Sequence, residues 1–275
     1  MTRPLFPART FALLGNPVAH SLSPVFQNAA FRAAGLEATY IALQCETEEV
    51  ATHMRELARA GGGGNITVPY KTTAAQAVEL ATEDVELTGA CNTFWLEGGQ
   101  LRGDNTDVFG FKAALTALAG DVAGARVLLL GAGGAARAAI LGLKQLRASS
   151  VSVWNRSPER FAELRAHASN ILDVKPYDAR DRFDIAINAT SIGLIGQAAP
   201  PIAAAETGAR FALDLVYRFG GTPWVAAATA AGLRAADGME MLIQQGARAF
   251  ERWFSIPAPI DVMRAALAEA AARPA

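Results

Sequence analysis

Val127-Leu-Leu-Leu-Gly-Ala-Gly-Gly-Ala-Ala-Arg137 decides the fold. Four apolar residues of strand character run straight into glycines, and an Ala-rich segment follows with no helix breaker until Gly142. That order is strand, tight turn, helix. Gly131, Gly133 and Ala136 fill the three small positions of G-x-G-x-x-G/A, which serve the turn, close backbone approach and helix–strand packing. A helix opened this way aims unpaired N–H groups and the positive end of its dipole at a pyrophosphate. Glycines before a helix also serve packing alone, so the motif by itself leaves both readings open.

A second strand pattern, Val151-Ser-Val-Trp154, ends in Asn155-Arg-Ser-Pro-Glu-Arg160. Chains that prefer NAD place an acid about 20 residues past the glycines, to take the ribose 2′-hydroxyl. At this strand end stand Asn155 and Arg156 instead, with Arg160 one helical turn on. Guanidinium forks match a phosphate bidentately. Taken with the glycines upstream, the arginines read as a 2′-phosphate clamp rather than solvated surface charge. The expected cofactor is NADP(H).

Two further apolar runs, Phe183-Asp-Ile-Ala-Ile187 and Phe211-Ala-Leu-Asp-Leu-Val216, continue the alternation of strand and helix. Near-continuous apolar strands with helices between them predict a parallel, doubly wound sheet. Ligands of such sheets bind at the carboxyl ends of the strands, where Asn188, Thr190, Ser191 and Tyr217 fall.

The first third reads differently. Thr10–Leu14 is a strand closed by Gly15-Asn-Pro17, and a loop with Ser21 and Ser23 leads into a helix over Val25–Ala34. Ser23 suits an N-cap ahead of Pro24. Ser21 and Ser23 also sit two apart near a helix N-terminus, where both hydroxyls could meet one anionic group; the local sequence admits either role. Thr39–Leu43 is a second strand and Glu46–Ala60 a polar helix. Gly61–Gly64 leads to a short strand over Ile66–Val68 with Thr67 on its polar face, ended by Pro69, with Lys71 just beyond. A helix over Thr73–Leu80, a strand entered at Cys91-Asn92-Thr93 and a hairpin over Leu96–Leu101 follow. Gly103-Asp-Asn-Thr-Asp107 offers more capping side chains than one helix needs, Asp107 among them. Residues 237–253 form an amphipathic helix.

Bulk properties narrow the class. A chain of 275 residues predicts two lobes, and 51% hydrophobic residues suffice for two cores. A net charge of −1 with interspersed signs argues against nucleic acid as partner. Cys45 and Cys91 give neither a disulfide framework nor metal-ligand spacing, and three scattered histidines add no metal site; a reducing cytoplasm fits. The N-terminal Met1–Pro7 lacks the apolar core of a signal peptide. The longest uncharged run, Ile185–Ala205, is broken by polar residues such as Gln197 and by Pro200 and Pro201, so no membrane partner is expected.

Together these residues resemble the shikimate dehydrogenase family over nearly the whole chain. The landmarks are Gly15-Asn-Pro-Val-Ala-His-Ser-Leu-Ser-Pro24, Asn65-Ile-Thr-Val-Pro-Tyr-Lys71, Asn92-Thr93, Gly103-Asp-Asn-Thr-Asp107, Gly131-Ala-Gly-Gly-Ala135, Asn155–Arg160, Asn188-Ala-Thr190 and Met241-Leu-Ile-Gln-Gln245. Phe219 departs from the pattern, standing where many members carry proline.

The resemblance implies reduction of 3-dehydroshikimate to shikimate by NADPH. The implied fold is α/β, with a discontinuous N-terminal substrate domain (residues 1–106 and 239–275) and a Rossmann-type NADP domain (107–238). It implies Lys71 as catalytic acid/base with Asp107, and a carboxylate site at Ser21, Ser23 and Tyr217. Thr67, Asn92, Asp107 and Gln245 would bind ring hydroxyls, Gln245 being chosen over Gln244 by its spacing from Met241. Gly131, Ala132, Gly133, Gly134 and Ala135 would hold the pyrophosphate; Asn155, Arg156, Ser157 and Arg160 would hold the 2′-phosphate. Glu83, Thr190, Leu215 and Gly238 match further cofactor positions. The small-molecule substrate would be the main partner of a monomer or homodimer. A quinate or aminoshikimate paralogue and a non-catalytic ligand-binding regulator are the alternatives; Ser23, smaller than threonine, leans toward shikimate.

Overall fold

Strand pairing builds two separate sheets, and the chain divides accordingly into residues 1–106 with 243–275, and residues 107–242. The second crossing follows Leu242, inside a helix, rather than the Gly238 turn at which the sequence divides. The structure, a computed structural model, describes residues 5–194, 196 and 198–272. Met1–Pro4 of the N-terminal segment and Gln197 of the uncharged run lie outside the described residues.

The first unit runs β1 (Thr10–Gly15), α1 (Ser23–Ala33), β2 (Thr39–Gln44), α2 (Val50–Arg59), β3 (Gly63–Ile66), α3 (Lys71–Ala77), β4 (Leu80–Ala81), α4 (Glu83–Thr88), β5 (Thr93–Glu97) and β6 (Gln100–Asp104). α5 (Thr106–Ala119) then leads into the second unit. The sheet order is β2-β1-β3-β5-β6-β4. β1 pairs in parallel with both β2 and β3, while β5 runs antiparallel to β3 and β6.

Alternation along β1 supplies both faces of this sheet. Ala12 and Leu14 pack with Met54, Leu57 and Ala58 of α2. Phe11 meets Phe31, with ring centroids 5.2 Å apart. On the outer strand, Asn28 of α1 accepts from the Tyr40 N–H (2.9 Å) and donates to the Tyr40 carbonyl (2.8 Å).

Two local expectations are corrected. Ser23 does not cap α1: Leu22 holds the cap position, and the Ser23 N–H donates to Ser21 Oγ at 3.2 Å. The strand expected at Ile66–Val68 lies earlier, over Gly63–Ile66, because backbone crowding rather than apolar alternation selects it. A Cβ on Gly64 would sit 2.1 Å from the Ala12 carbonyl oxygen, and one on Gly63 would sit 2.6 Å from that of Phe94. Only glycine fits between those neighbours.

The second unit continues with β7 (Arg126–Leu130), α6 (Gly134–Gln145), β8 (Ser150–Trp154), α7 (Pro158–Ala168), β9 (Val174–Pro176), β10 (Ile185–Asn188), β11 (Phe211–Asp214), α8 (Pro223–Ala230) and β12 (Arg234–Ala236). α9 (Met239–Phe254) starts here and ends in the first unit, followed there by α10 (Ile260–Ala272). Every pairing is parallel, in the order β12-β11-β10-β7-β8-β9. Read from β9, the first three strands run backward and the last three forward, the dinucleotide-binding order whose direction reverses between β7 and β10. β9 and β12, three residues each, were not legible beside the four strands read from sequence.

In the first unit's later segment, α10 packs on α1, and Phe250, Trp253 and Phe254 of α9 join the ring cluster of Phe11, Phe31 and Tyr40.

Because the Gly64 position lacks room for a methyl group, Gly64→Ala should destabilise the chain by about 1–3 kcal/mol or more. Urea unfolding followed by far-UV circular dichroism measures it; an unchanged midpoint would mean that the strands can spread at no cost.

Candidate active site

Strand direction collects most candidate residues of the first unit at one end of its sheet. β1 and β3 end there, and the loops after them, with the first residues of the helices they lead into, carry Ser21, Ser23, Thr67 and Lys71. The antiparallel strand β5 begins at that end: Asn65 is paired with Thr93, and the Ile66 N–H donates to the Asn92 carbonyl at 2.8 Å. β6 ends there too, since Asp104 pairs with Thr93, and Thr106 and Asp107 follow. The loops are tied together, with the Thr67 N–H on the Leu14 carbonyl (2.8 Å) and the Asn16 N–H on that of Val68 (3.1 Å). Lys71 opens α3, and its carbonyl accepts from the Cys91 N–H at 2.9 Å.

Asn92 is held at both ends of its carboxamide. Its Oδ1 accepts from the Thr106 N–H (2.7 Å), and its Nδ2 reaches Gln245 Oε1 at 3.4 Å. Gln245 is buried, whereas Gln244 is half-exposed. Next to it, the Gly246 carbonyl accepts from Gln27 Nε2 at 2.9 Å. Glu83, unlike the other cofactor candidates, belongs to the first unit, where it is the exposed first residue of α4. Its neighbour Thr82 donates to Asp104 Oδ1 at 2.7 Å, and Arg252 Nε donates to Asp104 Oδ2 at 2.7 Å.

In the second unit, β7 is followed by Gly131, whose φ of 109° and close approach to Ala189, just past β10, both demand glycine. A Cβ there would lie 2.8 Å from the Ala189 carbonyl oxygen. Gly133 caps α6, and a Cβ on it would meet nothing within 4 Å, so the helix N-terminus opens onto free space. That space, the uncapped N–H groups and the reversal of strand order fit a pyrophosphate.

After β8, Arg156 and Arg160 are exposed. Asn155 Nδ2 donates to the Ser157 carbonyl at 2.8 Å, and Ser157 Oγ caps α7 by accepting from the Arg160 N–H at 3.2 Å. A carboxylate that the sequence reading passed over also stands here: Ser157 Oγ donates to Glu159 Oε2 at 2.6 Å, and that bond holds the Glu159 carboxyl below its ordinary range.

Thr190, Leu215 and Gly238 converge at the ends of β10 and β11. The Thr190 hydroxyl donates to Asn188 Oδ1 at 2.7 Å, the Leu215 N–H to the Asn188 carbonyl at 2.8 Å, and the Gly238 N–H to that of Val216 at 2.9 Å. Tyr217, half-buried, lies on the same loop as Leu215.

Sequence reading missed what organises these loops. Asp214, 0% exposed, accepts from Asn188 Nδ2 (2.7 Å), the Val216 N–H (3.0 Å) and Thr222 Oγ1 (2.7 Å). Its signal is a lone acid inside the apolar run Phe-Ala-Leu-Asp-Leu-Val. Burial pushes its carboxyl above the ordinary value, against the pull of those three bonds, and burial does the same to Asp237. Among the described residues, no three His, Cys, Asp or Glu side chains cluster to hold a metal, and no helix is long and apolar enough to cross a membrane.

Family models match along most of the chain. Residues 13–94 match the shikimate dehydrogenase substrate binding domain, 113–196 match shikimate/quinate 5-dehydrogenase, and 238–268 match the shikimate 5′-dehydrogenase C-terminal domain. Shikimate dehydrogenase (NADP(+)) of Geobacter sulfurreducens is 37% identical, over 94% of this chain and 96% of its own length. The chain belongs to the shikimate dehydrogenase family. A second family member, shikimate dehydrogenase (NADP(+)) of Methanothrix thermoacetophila, is 39% identical over 96% of this chain and 98% of its own. The Thermus thermophilus enzyme, solved in complex with NADP(H) and shikimate, superposes with a TM-score of 0.85 at 37% identity, covering 95% of this chain and 99% of that one. In family terms the first unit is the substrate domain and the second the Rossmann-like domain.

The raised value of Asp214 has a stability consequence. Its protonated form is favoured in the fold, so the unfolding free energy falls as pH rises from the ordinary carboxylate value through the raised one. Asp214→Asn lacks that step. Urea titrations from about pH 4 to pH 7 should show the variant gaining stability relative to the unsubstituted chain; a difference that stays flat would place the Asp214 carboxyl at its unfolded value.

Proposed function

We propose that the chain catalyses the reversible NADPH-dependent reduction of 3-dehydroshikimate to shikimate. The observation that carries this reading is the gathering of Ser21, Ser23, Thr67, Lys71 and Asn92 at one end of the substrate-domain sheet, in a chain that aligns almost end to end with an enzyme solved with NADP(H) and shikimate. Lys71 is the acid/base and Asp107 the carboxylate that works with it. Ser21, Ser23 and Tyr217 take the substrate carboxylate, while Thr67, Asn92, Asp107 and Gln245 take ring hydroxyls.

NADPH, when bound, supplies the hydride. Charge then develops on the carbonyl oxygen of the substrate, and an ammonium within hydrogen-bond reach both stabilises and protonates that oxygen. Lys71 fills this role in reduction and accepts the proton back in oxidation. The α6 N-terminus at Gly131–Ala135 holds the pyrophosphate. Asn155, Arg156, Ser157 and Arg160 hold the 2′-phosphate, for which the Glu159 carboxylate must give up the Ser157 hydroxyl. Leu215 and Gly238 line the nicotinamide, and Thr190 and Glu83 are further contacts to the cofactor.

Quinate is the second reading, favoured by the shikimate/quinate family model over residues 113–196. We place the protein in the cytoplasm, as a monomer or homodimer; its two buried free cysteines suit a reducing compartment.

The deciding assay follows reduced-nicotinamide absorbance with shikimate or quinate, each with NADP or NAD. Fastest turnover should come with shikimate and NADP. Faster quinate turnover would reassign the substrate, and no turnover with either would favour a non-catalytic ligand-binding protein.

Lys71→Ala should cost about two or more decades of turnover with little loss of shikimate affinity. Unchanged turnover would remove the lysine from the mechanism. Arg156→Ala should weaken NADP binding far more than NAD binding in fluorescence titrations; equal losses would show that this guanidinium does not read the 2′-phosphate.

A further inference from the structure

A buried line of side chains in the substrate domain ends on two of the residues assigned to ring hydroxyls. Tyr40 Oη donates to Asn65 Oδ1 at 2.8 Å. Asn65 Nδ2 donates to the Asn92 carbonyl (3.1 Å) and to Thr93 Oγ1 (2.9 Å). Thr93 Oγ1 lies 3.0 Å from Asn92 Oδ1 and 3.0 Å from Thr106 Oγ1. Tyr40, Asn65, Asn92, Thr93 and Thr106 are all buried.

Two backbone groups fix the polarity of this line. The Asn92 carbonyl can only accept, so the Asn65 carboxamide must turn its nitrogen toward it and its oxygen toward Tyr40. The Thr106 N–H can only donate, so the Asn92 oxygen faces it at 2.7 Å. The Asn92 nitrogen therefore faces the other way, toward Gln245 Oε1 at 3.4 Å. That bond in turn leaves the Gln245 nitrogen as the outer limb of its fork.

We propose that Tyr40, Asn65 and Thr93 are positioning residues: they lock the Asn92 carboxamide, and through it Gln245, so that both offer N–H donors to the oxygens of the substrate ring. The inference rests on the assignment of Asn92 and Gln245 to substrate. Flipping the Asn92 carboxamide would set its nitrogen against the Thr106 N–H, a buried donor–donor clash. The Thr93 hydroxyl opposes that flip by donating to the same oxygen, and Asn65 holds the hydroxyl in place by occupying one of its acceptor sites. Tyr40 completes the line from within the aromatic cluster, its ring 6.0 Å from that of Trp253.

Thr93→Val removes the hydroxyl at nearly constant volume, Thr93→Ser keeps it, and Tyr40→Phe removes the first donor while keeping the ring. Thr93→Val should lower kcat/KM for shikimate about tenfold, through KM, the effect of about one lost hydrogen bond with its partners left buried. The KM for NADP should stay within about twofold, showing that the chain remains folded. Thr93→Ser should restore most of the loss, and Tyr40→Phe should fall between. Equal losses in Thr93→Val and Thr93→Ser, or no loss in Thr93→Val and Tyr40→Phe, would overturn the proposal. If Thr93→Val fails to fold, Tyr40→Phe decides.

A readout independent of turnover separates this inference from the assignment of the substrate. The side-chain NH2 resonance of Asn92 in a 15N-labelled chain, identified by its loss in Asn92→Asp, should shift in Thr93→Val and not in Thr93→Ser. An unmoved resonance sinks the relay even in an active enzyme. A shifted resonance in a protein that ignores shikimate supports the relay and rejects the substrate.

Discussion

Parallel pairing of β1 with β3, and of β7 with β10, is the constraint behind the central loops of both units. A parallel pair delivers both chains to the same edge, so their following loops must meet there. In the first unit this joins the Ser21–Ser23 loop to the Thr67–Lys71 loop. In the second it sets Gly131 against Ala189, close enough that a side chain at Gly131 would strike backbone. Both junctions depend on glycine. Gly63 and Gly64 let β3 lie between β1 and β5, and Gly131 turns the chain out of β7 at φ 109°. Packing and chemistry therefore make their demands at the same few positions.

How far the sequence could be read follows from this division. The four apolar strands of the Rossmann-like sheet were legible because burial on both faces leaves an unbroken hydrophobic run, and Gly131–Ala136 because a turn before a helix has a fixed grammar of small residues. β3 was read too late in the chain, since Gly63, Gly64 and Asn65 have poor strand propensity and are selected by neighbours distant in sequence. β9 and β12 were too short to carry a period. Ser23 looked like a cap because Ser-Pro usually opens a helix, yet the helix began one residue earlier, with Leu22 outside it.

The candidate site was legible at the residues assigned to a ligand and opaque at those bonded to them. Lys71, Asn92 and Asp107 were read through a resemblance built on ordered motifs, not from local pattern alone. Asp214 and Asn65 were given no role of their own because their work depends on tertiary partners: three donors converge on one carboxylate, and one carboxamide spans a tyrosine, a threonine and a carbonyl. Nor was the state of Cys91 visible in the sequence. Burial pushes its thiol up to about 12, so it stays protonated although Lys71 lies near enough to oppose the shift. The cysteine beside the candidate site is packing material.

Asn28 has a consequence beyond its own helix. By giving the outermost strand both an acceptor and a donor at Tyr40, a single carboxamide imitates the rung that a neighbouring strand would supply. A foreign polypeptide approaching that margin finds the rung at Tyr40 already taken and would have to displace a side chain before it could pair there. The exposed border of the substrate-domain sheet is thus guarded against runaway self-association by one asparagine on the surface helix α1.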